Sequence, residues 1–385
     1  MTKLVWAMTK LGQWLLAAGF VGSIMAFSYR SATHVVEHAR ELPEVVNDSW
    51  DETYRRAKHF PQEFEPFFDE HLGWRDIQFR RFARFKMNSL GVSPTPRVWF
   101  GDDGWLFYNH EADNTYIPAG DPRLKNRLAE WERAIPEWRT WLAARNIRLL
   151  MVVVPDKQSV YTEHLPPLVQ KTRTSGTPID GVIAAWHTAD PALDVLDLRE
   201  PLKSAKADKP LYFQTDTHWT LHGARAAYQS TAHRLGFDPH ADSDFHLVEQ
   251  PKKTGDLGFR LLGYFPRGDE QFDDIQLKTS KAQLVRTYDL NDGFRLDYLK
   301  ARTWETPESG GGTCMLFHDS FGDFYYSKLL AEHFDRLEAI PSNHLDPLLI
   351  ERYKPDVVIL ELVERLFQAT GARRPSDPPK RSVTK

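Results

Sequence analysis

Two short segments of this chain carry the three residue types that together activate a serine. Asp216-Thr217-His218-Trp219-Thr220 offers a carboxylate and an imidazole, and Phe317-His318-Asp319-Ser320-Phe321-Gly322 offers a hydroxyl about a hundred residues later. A lone serine is a poor nucleophile at neutral pH and needs a neighbouring imidazole to take its proton as it attacks. That imidazole needs a carboxylate to fix its tautomer and to stabilise the imidazolium. Asp216 and His218 are alternate residues, so an extended strand or turn puts both side chains on one side. One ring nitrogen of His218 is then free to face Ser320. The plain structural use of these residues is also available: Ser320 as a helix N-cap, Asp216 or Thr220 as another, and His218 as an ordinary polar residue.

Elements must bring these groups together. Thr313-Cys314-Met315-Leu316-Phe317 reads as a buried strand, and a helical pattern at 324–334 follows Ser320. A serine on such a turn faces the crevice at the carboxyl ends of a parallel sheet. The amino terminus of the following helix supplies free N–H groups and a positive dipole end, which suit an oxyanion. Further strands are expected at 147–154, 192–198 and 356–362, with helices near 179–189 and 221–235. Strands alternating with helices imply an α/β fold, a mostly parallel sheet with helices on both faces. Ahead of it, 98–108 reads as a β-hairpin around Gly101-Asp102-Asp103-Gly104, and 124–146 as an amphipathic helix interrupted by Pro136. The charged, aromatic stretch 240–305 reads as an insertion, and 368–385, with Pro375, Pro378 and Pro379, as a disordered tail. Residues 31–95 read as a helical neck.

Composition bounds the function. The chain has 385 residues, 41% hydrophobic and 26% charged, with a net charge of -4 that gives no reason to expect nucleic-acid binding. A single cysteine, Cys314, forbids an intrachain disulfide. Residues 11–29 carry no charge, and nineteen helical residues at about 1.5 Å each nearly span a bilayer core. Lys3 and Lys10 precede this segment, while Glu37, Glu41 and Glu44 follow Arg30. The expectation is a signal anchor or transmembrane helix in 1–30 with a cytoplasmic amino terminus. The rival is a cleaved signal peptide at Ala26-Phe27-Ser28. Either places the body outside the cytoplasm. No metal site is expected: His218 and His222 are four apart, but Trp219 stands where a zinc protease motif has Glu, and no cysteine ligands help. His318 and Asp319 flank the serine without completing a ligand set. Gly310-Gly311-Gly312 is no Walker-type cradle, and no cofactor is expected.

With Asp216-Thr217-His218-Trp219-Thr220 and the later strand–Ser–helix, the chain resembles the SGNH-hydrolase-like domain of the alginate acetylation proteins, the AlgJ/AlgX family. Gly101-Asp102-Asp103-Gly104-Trp105-Leu106-Phe107, Val154-Pro155-Asp156-Lys157 and Lys354-Pro355-Asp356-Val357-Val358-Ile359, with Glu364-Arg365 after it, match too. The resemblance covers roughly 96–367 and implies a three-layer α/β/α domain in which Asp216, His218 and Ser320 form the triad. The order Asp, His, Ser is permuted relative to ordinary SGNH esterases, and His318 stands where their Gly-Asp-Ser block has glycine. It further implies a periplasmic O-acetyltransferase acting on an exopolysaccharide such as alginate, closer to the membrane-anchored AlgJ type than to AlgX with its carbohydrate-binding module. The acetyl donor would be a multispanning membrane acyltransferase, since acetyl-coenzyme A is cytoplasmic. Tyr326 and Arg365 are oxyanion candidates, and Trp219, with Trp99 and Trp105, a candidate sugar platform. A carbohydrate acetylesterase with the same triad and a non-catalytic polysaccharide-binding scaffold are the competing readings.

Overall fold

The computed structural model describes residues 75–90, 92–109, 122–172, 176–207, 209–252, 254–258, 270–271, 274–289 and 299–377. The chain divides into two units, one ending at Pro94 and one beginning at Thr95. In the first, the expected neck helix is described as α1 (Arg75–Leu90). Residues 11–29 lie outside the described residues. Among those described, no helix is long and apolar enough to cross a membrane.

The second unit starts with the expected hairpin, β1 (Val98–Phe100) and β2 (Leu106–Tyr108), paired antiparallel. Asp103 (φ 54°) and Gly104 (φ 82°) both take the left-handed conformation in its turn, which glycine and aspartate tolerate better than most residues. Then come α2 (Pro122–Ala143), β3 (Arg148–Val154), α3 (Pro178–Ala189), β4 (Asp194–Asp197) and α4 (Leu221–Leu235). β5 (Phe245–Val248), β6 (Asp274–Leu277), β7 (Gln283–Tyr288), β8 (Ala301–Glu305) and β9 (Thr313–His318) follow. The last elements are β10 (Arg336–Pro341), α5 (Pro347–Tyr353), β11 (Val357–Val363) and α6 (Glu364–Ala369).

Seven strands form the main sheet in the order β4-β3-β11-β9-β10-β8-β7. β4 to β10 run parallel, while β8 and β7 are antiparallel additions, so the sheet is mixed. The expected parallel sheet is therefore extended by two strands drawn from 240–305, the stretch read as an insertion. Alternation along β3 explains why its run is apolar from Leu149 to Val154. Leu150, Val152 and Val154 enter one core cluster, with α4 and the segment after Ser320. Leu149, Met151 and Val153 enter the other, with α2 and α3. Each such side chain contributes about 1.5–3 kcal/mol when fully buried. Helices thus cover both faces, giving three layers.

Two expectations need correction. The tail is ordered at least to Asp377: the indole N–H groups of Trp131 and Trp138 on α2 donate to the carbonyls of Thr370 (2.9 Å) and Arg373 (2.6 Å). Composition alone gave no sign of these anchors. The helix expected at 324–334 is irregular, a π-helical turn at Gly322–Tyr326, an α turn at Ser327–Leu330 and a 3-10 turn at Ala331–His333.

Candidate active site

The carboxyl ends of the parallel strands gather the chemistry-bearing residues. β3 runs into Asp156 and Lys157, β9 into Asp319 and Ser320, and β11 into Glu364 and Arg365. Ser320 opens the helical turn after β9. Asp319, nearly fully buried, caps that turn: one carboxylate oxygen accepts from Phe321 N (2.8 Å) and the other from Val363 N (2.8 Å). The turn is thereby tied to the end of β11. Gly322 is required here by contact. A Cβ on it would lie 2.4 Å from His318 Cβ and 2.9 Å from Glu361 Oε2.

The opposite wall is a hairpin-like loop closed by a bridge between Tyr212 and Trp219 and by Phe213 N donating to His218 O (3.2 Å). Thr220 ends it and caps α4, its hydroxyl accepting from Gly223 N at 3.3 Å. Asp216 and His218 project from this loop on one side, as alternation requires. Asp216 Oδ1 lies 2.7 Å from His218 Nδ1, and His218 Nε2 lies 2.9 Å from Ser320 Oγ. The aspartate accepts, so Nδ1 carries a proton and Nε2 is the acceptor for the serine hydroxyl. Asp216 Oδ1 also accepts from His218 N (3.0 Å), and Oδ2 from Asp256 N (2.9 Å). Burial alone would raise the Asp216 carboxyl, but these bonds and the imidazole hold it well below the usual carboxylate range. The Phe321 ring packs against the imidazole with centroids 5.0 Å apart.

The other named residues fall differently. Tyr326 is 0% exposed and its hydroxyl meets Thr231 Oγ1 at 2.9 Å, which makes it core packing instead of an oxyanion donor. Trp219 is 1% exposed and packs edge-on against Phe321 (5.1 Å), so it presents no face to a sugar. Trp105 is buried and packs against both Tyr161 (4.3 Å) and His164 (4.9 Å). Arg365 lies over the Phe321 ring (5.3 Å) and pairs with Asp156 (2.5 Å). His318 donates Nδ1–H to Asp319 O (2.7 Å), and burial pushes its ring down to about 4, so it stays neutral. A cavity of about 250 Å3 lies against the loop, lined by Trp105, Tyr212, Gln214, Thr220, Glu270 and Gln271 among others.

Three charged residues that the sequence did not single out hold the loop. The Lys157 ammonium is buried and donates to the carbonyls of Phe213 (3.0 Å), Gln214 (3.1 Å) and Asp216 (2.7 Å). Burial brings it down to about 8. Glu270 accepts from Gln214 N and from Thr215 N and Oγ1. Asp256 accepts from Thr217 N and Oγ1, both at 2.7 Å. Lys157 could have been found from its motif, Val154-Pro155-Asp156-Lys157; nothing in sequence marks Asp256 or Glu270. Asp216, His218 and Asp256 also bring three potential metal-ligand atoms within 4.8 Å of one another. An ion there would compete with the Asp216–His218 hydrogen bond, and these donors are already paired among themselves and with Thr217.

Residues 98–270 match the family model described as the SGNH hydrolase-like domain, acetyltransferase AlgX; that stretch includes Asp216 and His218 and stops before Ser320. The probable alginate O-acetylase AlgJ of Pseudomonas syringae pv. tomato is 28% identical over 230 residues, which is 58% of this chain and 52% of that protein. The resemblance to the AlgJ/AlgX family is borne out. The AlgJ of Pseudomonas putida is 33% identical over 139 residues, 36% of this chain and 33% of the relative. The chain thus spans about half the length, or less, of these curated AlgJ relatives. The solved structure of Bacillus cereus PatB1 with a sulfonyl adduct covers 72% of this chain and all of its own, at a TM-score of 0.54 and 15% identity. That likeness shows the fold and nothing finer.

Proposed function

We propose that this chain is a serine-dependent O-acetyltransferase that acetylates hydroxyls of a secreted polysaccharide such as alginate. The observation that carries the reading is the unbroken hydrogen-bond line from Asp216 through His218 to Ser320, at 2.7 and 2.9 Å. The similarity to AlgX and AlgJ supports the acetyl chemistry and a polysaccharide acceptor.

In the first step His218 Nε2 takes the Ser320 proton as Oγ bonds to the donor's acetyl carbonyl. Asp216 keeps the imidazole in the reactive tautomer and stabilises its positive form. The carbonyl oxygen gains negative charge beside the Ser320 backbone N–H at the start of the turn, since the Phe321 and Gly322 N–H groups already serve Asp319 and Glu361. Collapse of the adduct expels the donor's leaving group, which takes the proton from His218, and leaves acetyl-Ser320. In the second step His218 takes the proton of a sugar hydroxyl, whose oxygen attacks the acetyl carbonyl. The sugar ester departs and Ser320 Oγ is reprotonated. The donor in this scheme is a multispanning membrane acyltransferase, and the enzyme works in the periplasm, anchored through residues 11–29.

Incubating the full-length protein with an activated acetyl ester, with and without an oligosaccharide, tests the proposal. Acetylated sugar is the expected product, together with a transient acetyl group on Ser320. Acetate alone, with the sugar untouched, would replace this reading with the esterase. Sugar esters formed equally by Ser320→Ala would remove the acyl-serine.

A further inference from the structure

The line from Asp216 to Ser320 is only as good as the orientation of the Asp216–His218 loop, and one residue contacts that loop in two reciprocal ways. The Asp256 backbone N–H donates to Asp216 Oδ2 at 2.9 Å, while Asp216 Oδ1 takes both N–H groups of His218. Conversely, the Asp256 carboxylate accepts from Thr217 N and Thr217 Oγ1, both at 2.7 Å. The first contact sets the rotation of the Asp216 carboxylate. The second fixes the peptide that joins Asp216 to His218.

The approach that permits this is unusually close. Gly255 N donates to Thr215 Oγ1 (2.8 Å), and Leu257 N donates to Thr215 O (3.1 Å). A Cβ on Gly255 would stand 2.5 Å from the Thr215 carbonyl and 2.6 Å from Asp216 Cβ. Only glycine lets the two backbones come so near. The Asp256 carboxylate is part-buried beside Asp216 and spends both of its oxygens on Thr217.

We infer that Asp256 is a positioning residue of this site, holding Asp216 and Thr217 so that His218 Nε2 stays in line with Ser320 Oγ. Its hydrogen bonds go to Asp216 and Thr217, so it acts through the loop. The inference rests on the acyl-serine reading above. Misplacing a reacting group by about 1 Å can cost on the order of 100-fold in rate.

The test compares wild type, Asp256→Ala, Asp256→Asn and Ser320→Ala in the full-length protein with an activated acetyl ester. Asp256→Ala should lower kcat by about 10–100-fold with KM for this small ester unchanged. It should also remove the low-field NMR resonance of the His218 Nδ1 proton. Asp256→Asn keeps an acceptor for Thr217 N and the backbone donor to Asp216, so it should restore both. A folded Asp256→Ala with wild-type kcat and an intact resonance would overturn the inference, as would a loss that Asn fails to rescue. If Asp256→Ala does not fold, Thr217→Val takes its place, and wild-type turnover by that variant would overturn the inference. Activity surviving in Ser320→Ala would instead indict the acyl-serine reading. The resonance reports the Asp216–His218 contact without turnover, so Asp256 is tested even then.

Discussion

Ser320 lies 2.9 Å from an imidazole whose other nitrogen is held at 2.7 Å by an aspartate, and the roles of the three predict unequal losses. On the proposed acyl-serine route, Ser320→Ala removes the acceptor of the acetyl group and should abolish transfer with little change in unfolding temperature, measured by mass spectrometry of the sugar product and by calorimetry. Asp216→Asn keeps the shape but presents an amide N–H or a neutral oxygen to Nδ1, favouring the wrong tautomer. Turnover should fall by roughly 10^3–10^4-fold, the scale of the same change in a serine protease. Lys157 behaves differently because it touches no reacting atom. Lys157→Met removes the donor shared by three loop carbonyls, of which Gln214 O keeps Leu106 N, and a buried carbonyl left unpaired costs about 1–3 kcal/mol, so the unfolding midpoint in urea should fall. Asp216, His218 and Ser320 were legible in the sequence because their types and local contexts are those of nucleophile chemistry. Asp256 was not, since an aspartate after a glycine some forty residues away carries no local signal; only the fold brings it there.

The turn after β9 decides where the serine hydroxyl points. It is held by the Asp319 carboxylate and by the absence of a side chain at Gly322, and it continues into a π-helical turn. Such turns widen the helix by one residue and often occur at functional sites. Gly322→Ala would place a methyl against His318 and Glu361, which are buried strand residues on β9 and β11 and cannot swing aside. The turn must shift instead. Transfer activity should drop more than 10-fold while β-sheet content by circular dichroism is unchanged; wild-type activity would show that the turn has slack. Elements were legible in proportion to their apolar runs. β3, β9 and β11 sit at the centre of the sheet, buried on both faces, and their sequences say so. β10 hid because Arg336 and Glu338 interrupt it, although Glu338 is fully buried and satisfied by Arg336 (2.6 Å), Thr303 (2.8 Å) and Tyr288 (3.2 Å). β7 hid because it is an exposed edge strand, with polar residues and a bulge near Leu284.

Across the whole sheet, the carboxyl ends of β3, β9 and β11 crowd carboxylates into a poorly solvated rim, and this gives the protein a pH signature. Asp216 is held low by His218 against its burial, so its stabilising contribution is present above the usual aspartate range and lost as acid protonates it. Asp319 and Glu361 go the other way, raised first by burial. Glu364 is the clearest case. Burial and the neighbouring Asp156 push it up to about 7, although Asp156 N (2.9 Å) and Arg199 (3.8 Å) favour its charged form. In the unfolded chain such a glutamate loses its proton near pH 4.5, its ordinary value, while the folded protein keeps the proton until about pH 7. Between those values the native state binds more protons than the unfolded state, so stability falls as pH rises through that window and then levels off. Glu364→Gln is a permanent mimic of the protonated form and should flatten this part of the curve. Urea unfolding of both proteins at half-unit intervals from pH 4.5 to 8 measures it. The variant should gain on wild type steadily up to about pH 7 and hold a constant advantage above it. A gap that is the same at every pH would mean that Glu364 ionises alike in both states, and that Arg199 and the Asp156 N–H offset its burial completely.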